Sequence, residues 1–113
     1  MSILAELNTI LSPILPVETG VFSGVPPDEY LVITPMTDEF TLFGDDAPLM
    51  DVSEVRLSLF SKNNYQQRKR QITQALLGAE FTITDRRYIG HEDDSGYFHY
   101  AIDVAKSYET EDL

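Results

Sequence analysis

The sequence predicts an α+β domain, a two-layer sandwich of a mostly antiparallel sheet of about five strands with two helices, in the order α-β-β-β-α-β-β. Three observations predict it. Apolar residues recur at helical spacing near the amino terminus and again over residues 64–77. They alternate with period two over 49–60 and 98–105. Short turns join consecutive strands, which favours antiparallel pairing, and two apolar helical stripes need a sheet face to cover. A chain of 113 residues suits one core, so 1–113 is read as a single domain, with the helix-bearing segment 1–15 and the acidic segment 107–113 as flexible ends.

Ile3, Leu7, Ile10, Leu11 and Ile14 give the first helix its stripe over 2–12, and Ser12-Pro13 and Pro16 stop it. Residues 16–29 carry two Gly and three Pro and read as an extended loop, with Val21-Phe22 as a brief edge strand. Tyr30–Thr34, bounded by Pro27 and Pro35, is a β-rich run, and Phe40–Phe43 is a second. Gly44–Pro48 has the turn chemistry to reverse the chain into a longer strand at 49–60, where Val55, Leu57 and Leu59 point one way and Glu54, Arg56 and Ser58 the other.

Ser61-Lys62-Asn63-Asn64 offers N-cap oxygens for a helix at 64–77 whose stripe is Tyr65, Ile72, Ala75 and Leu76, with Gly78 as its C′ residue. Phe81, Ile83, Tyr88 and Ile89 mark a fourth strand, and Gly90–Gly96 is a polar turn. In the last strand Phe98, Tyr100, Ile102 and Val104 alternate with His99, Ala101, Asp103 and Ala105.

Composition excludes several functions. There is no cysteine, hence no disulfide framework or thiolate chemistry. The start, Met-Ser-Ile-Leu-Ala-Glu, lacks a basic leader, and no apolar run approaches the ~20 residues of a membrane helix, so a cytosolic setting is expected. The net charge of −11 opposes binding to phosphate backbones and anionic lipid. That charge is banded: −10 over 1–55, +5 over 56–87 and −6 over 88–113.

No motif carries obvious chemistry. His91-Glu92-Asp93-Asp94 is dense in metal-competent side chains, but four successive residues cannot converge on one ion, and a solvated turn is the simpler reading. Asp45-Asp46 and Asp38-Glu39 lie in expected turns, where water screens them from general acid/base work. No catalytic, metal or cofactor residue is therefore assigned. Arg68-Lys69-Arg70 and Arg86-Arg87, each near a Tyr, could contact nucleic acid or an acidic protein surface; the overall charge argues against nucleic acid. Arg68, Lys69, Arg70, Arg86 and Arg87, with Asp45 and Asp46, are the candidate protein-interface residues. If the bands lie on different sides of the fold, one copy's basic face fits another's acidic face in a heterologous contact that closes into a ring or grows as a filament. Pairing within one chain would consume the same charges.

The Pro-rich loop and strand Pro26-Pro27-Asp28-Glu29-Tyr30-Leu31-Val32-Ile33, the acidic turn, the strand and Asn-rich turn from Val55 to Tyr65, the helix and the two final strands together resemble the tail-completion or head-tail joining proteins of long-tailed bacteriophages and prophages. The likeness spans roughly 16–108 and rests on element order and strand texture. It implies a non-enzymatic virion protein, made in the host bacterial cytoplasm, that forms a ring on the tail tube and meets the tail-tube protein and head connector proteins. It supplies no catalytic residues. Two other readings remain open: an acidic nucleic-acid mimic that inhibits a host enzyme, or another small protein-interaction domain; a small hydrolase is a third. Neither cofactor, membrane nor specific nucleic-acid sequence is expected as a partner.

Overall fold

The computed structural model describes residues 2–20, 24–44 and 47–109. Helix α1 (Ile3–Leu11) is followed by strands β1 (Val17–Thr19), β2 (Glu29–Gly44) and β3 (Ala47–Ser61), helix α2 (Tyr65–Gly78), and strands β4 (Thr82–His91) and β5 (Phe98–Glu109). The α+β class and the element order are those expected. The strands form one sheet in the order β1-β2-β3-β5-β4, with β1 parallel to β2 and every other pair antiparallel.

Alternation decides which face is covered. Leu31 and Ile33 of β2, Val55, Leu57 and Leu59 of β3, and Tyr100, Ile102 and Val104 of β5 share one face and are buried. Ile3, Leu7 and Leu11 of α1 and Ile72 and Leu76 of α2 pack on that face and complete a single core. The segment 1–15, read above as a flexible end, thus carries core residues, and Leu15 is buried with them. The opposite face has no helix on it among the described residues. Strand β5 sits in the interior because it is apolar on the core face and has small Ala101 on the other, whereas β4, with Arg86 and Arg87, takes the edge. Strands β3 and β4 run parallel through α2, with β5 inserted between them.

Four local expectations change. Pro35 does not end its strand: Phe40–Phe43 continues the same β2 that holds Tyr30–Thr34. Leu31 N–H donates to Pro16 O and Gly20 N–H to Ile33 O, so odd-numbered residues here turn their peptide groups toward β1. Pro35 shares that phase and so turns away from β3, where its missing N–H costs no bond of the β2–β3 ladder, and a bulge at Met36 follows. The edge strand is Val17–Thr19; Val21-Phe22 lies outside the described residues. At the other terminus β5 continues to Glu109, with Ser107 and Tyr108 paired to Val52 and Asp51, so the expected loose end does not begin at residue 107.

The fourth change is at the end of α2. Asn64 caps its start as expected, accepting from Gln66 N–H at 3.0 Å. Its end, however, is a Schellman turn placed two residues later than Gly78: Phe81 N–H donates to Leu76 O at 3.0 Å and Glu80 N–H to Leu77 O at 3.2 Å. Glu80 takes the left-handed conformation, φ 66°, because Phe81 must swing back onto Leu76 in the core. Gly78 is an ordinary helical residue. Since a Cβ there would meet nothing within 4 Å, Gly78→Ala should raise stability by about 0.5–1 kcal/mol, mainly by restricting the unfolded chain. Urea denaturation checks this; a destabilisation would restore Gly78 to the C′ position.

Candidate docking surfaces

The hairpin β2–β3 is built from the two longest strands, of 16 and 15 residues. Among the described residues β5 flanks β3 as far as Met50, opposite Glu109, and the hairpin is paired on to Gly44 and Ala47. The molecule is accordingly elongated, 54 × 26 × 24 Å. The root of the hairpin, where β5 flanks it, carries Asp38, Glu39, Asp51 and Glu54 and no base. An open groove of about 420 Å³ lies at the root, between the start of α1 and the sheet; Ile3, Leu4, Pro35 and Val55 form its apolar wall, and Asp38 and Asp51 add charge. Asp38 accepts a 2.7 Å hydrogen bond from Ser53 Oγ.

The other end of the sheet is aromatic on both faces. On the uncovered face Tyr30 stacks on Phe60 at 5.0 Å, Phe60 stacks on His99 at 4.4 Å, and Tyr97 meets Tyr30 edge-on at 5.4 Å. Tyr97 is buried and its hydroxyl donates to Pro27 O at 2.6 Å, which pins the Pro-rich approach to β2 over this end. On the helix face Tyr65 stacks against Tyr88 and Tyr100 at 5.8 and 5.5 Å. Offset and edge-on aromatic pairs each add about 0.5–1.5 kcal/mol beyond their burial. No local signal in the sequence marks Tyr97 and His99 as partners of Tyr30 and Phe60.

The basic residues singled out from sequence do not form one patch. Arg68 Nε donates to Glu29 Oε1 at 3.3 Å and its Nη1 to Gln71 at 2.9 Å. Lys69 lies over the Tyr100 ring at 5.2 Å, and Arg70 is exposed. On β4, Arg86 is level with Ile102 on the helix face, while Arg87 is level with Ala101 on the uncovered face and pairs with Asp85 at 3.5 Å. Asp45 and Asp46 lie outside the described residues.

Ion pairs tie distant parts of the chain together. Besides Arg68 with Glu29, Arg56 forks onto Asp103 with bonds of 2.8 and 3.1 Å, and Lys106 reaches Glu6 at 2.8 Å. Asp103 is 6% exposed, so the two-bond geometry of Arg56 compensates its desolvation. Burial pushes the Glu6 carboxyl upward, but the hydrogen bonds from Lys106 and Tyr108 and the ammonium charge outweigh it and hold Glu6 below the usual carboxylate range. Burial and Glu6 together push the Tyr108 hydroxyl far above its ordinary value, keeping it a donor.

His91 Nδ1 lies 3.2 Å from Asp93, and no group of three or more His, Asp or Glu among the described residues could hold a metal ion. No described helix is long and apolar enough to cross a membrane.

His99 gives this surface a pH dependence. Its Nε2 is buried without a hydrogen-bond partner, and burial lowers its pKa, with Glu92 opposing and Arg56 reinforcing the shift. The fold therefore holds the neutral ring. As pH falls through about 6.5, the unfolded chain takes up a proton at His99 that the fold resists, so stability is lost toward acid. His99→Phe, which keeps the stack on Phe60, should flatten the fall in melting temperature between about pH 7.5 and 5.5; parallel curves for the two proteins would refute this role.

Compared with protein-family models and with curated protein sequences, the chain matches none of either.

Proposed function

We propose that this protein is a non-enzymatic assembly component of a long-tailed phage or prophage particle, which completes the tail and joins it to the head through ring formation. The observation that carries the reading is a sheet with no helix on one of its faces among the described residues, together with the grouping of Asp38, Glu39, Asp51 and Glu54 on the β2–β3 hairpin. A sheet covered by helices on one side leaves the other for contact with further subunits or for lining a channel. The order of elements that resembles tail-completion proteins supports the same reading. Acidic residues lining such a channel would repel DNA and let it slide.

The acidic nucleic-acid mimic remains the second reading, favoured by the net charge of −11. The two separate in solution. Sedimentation of the purified protein across a concentration series, alone and with purified phage tail tubes, should show self-association or end-binding to the tubes. A protein that stays monomeric and ignores tubes, yet competes with DNA for a basic protein site, would transfer the assignment to mimicry.

A further inference from the structure

The two edges of the sheet match each other. Because Pro16 O accepts from Leu31 N–H at 2.9 Å and Gly20 N–H donates to Ile33 O at 3.0 Å, the peptide groups of Val17 and Thr19 turn outward from β1. The same alternation, followed through the registers across β2, β3 and β5, turns those of Arg86 and Tyr88 outward from β4. These outward groups are level. Val17 shares a cross-sheet row with Leu31, Leu59, Tyr100 and Tyr88, and Thr19 shares one with Ile33, Leu57, Ile102 and Arg86. Between them runs the row Glu18–Val32–Ser58–Ala101–Arg87, an acid at one edge and a base at the other.

Strand direction fits as well. Strand β1 is parallel to β2, and β4 is antiparallel to β2 through two intervening antiparallel pairs and one more. A second copy rotated about an axis along the strands therefore brings its β4 antiparallel to β1 of the first. Val17 would then face Tyr88, and Thr19 would face Arg86, as hydrogen-bonded pairs. Glu18 and Arg87 would fall between them as a close non-hydrogen-bonded pair on the uncovered face.

We infer that copies of this chain join edge to edge through β1 of one and β4 of the next, with Glu18 against Arg87, so that the sheet runs on from copy to copy. The inference rests on the self-assembly reading above and gives it a surface. Three features of the edges suit the role. Tyr88 and Ile89 are about half exposed, 48% and 47%, and leave apolar area on this edge for a neighbouring strand to cover. Glu18 makes no ion pair among the described residues, and the Arg87 pair with Asp85 is exposed, so little is lost in exchanging it. The contact is heterologous, so repetition closes a ring or extends a filament.

The test is a charge exchange with a backbone control. Glu18→Lys and Arg87→Glu should each weaken self-association about tenfold or more, and the chain carrying both changes should recover it, because the edges are complementary again. Arg86→Pro removes an outward N–H that the fold does not use and should abolish association, with circular dichroism confirming that each variant folds. Association that is insensitive to all three variants would overturn the edge contact and leave ring assembly standing on another surface. A wild-type chain that is monomeric at every concentration would overturn both.

Discussion

Leu57 lies between Ile33 and Ile102 in one cross-strand row, and all three are fully buried beneath the helices. The rest of the structure depends on this row. A side-chain period of two means that fixing Leu57 toward the core also fixes Val55, Leu59, Leu31, Tyr100 and Val104 there, while Arg56, Ser58, Val32 and Asp103 must face the other way. Both helices are drawn to the one apolar face, since Leu7, Leu11, Ile72 and Leu76 have nowhere else to bury. An uncovered sheet face is the necessary counterpart. It holds its central charge, Asp103, only because Arg56 stands one strand away in the same row with a guanidinium that meets both carboxylate oxygens.

The parts legible in sequence are those that report on neighbours within a few residues. Alternation at 55–59 and 98–104, the helical stripes and the Asn64 cap all needed only local spacing, and with them came the fold class and element order. Pro35 was misleading because its effect depends on what lies beside it. A proline ends a strand only where its N–H is wanted, and here that position turns away from β3. Glu80 gave no warning either: the left-handed residue is set by the need to return Phe81 to Leu76, not by the residue's own preference. Strand order was also hidden, because β5 enters between β3 and β4 through contacts set by burial.

The candidate site was less legible for the same reason. Arg68, Lys69 and Arg70 are contiguous in the chain, but successive residues of a helix point about 100° apart, and the structure commits them differently, one to Glu29, one to the Tyr100 ring and one to solvent. Conversely Glu18 and Arg87 are far apart in sequence and become related only as the two ends of one row. The aromatic group of Tyr30, Phe60, Tyr97 and His99 likewise draws on three strands and a turn.

Tertiary pairing also changes how charge can act between molecules. In the chain the bands look like separable acidic and basic faces, but Glu6, Glu29 and Asp103 hold Lys106, Arg68 and Arg56 within the fold. Arg56 and Arg68 of the basic band are thereby held within the fold, and the net charge stays at −11, so two copies brought together at random repel. Attraction between copies must then come from short-range fit, in which a few complementary groups meet at hydrogen-bonding distance, and not from opposed fields acting across a Debye length. An edge that offers peptide groups in phase, one exposed aromatic and one opposite charge meets that requirement. It also discriminates: a copy displaced by one residue along the strand would turn the outward peptide groups out of phase and separate Glu18 from Arg87, so the registers that build the core also select the geometry in which copies can meet.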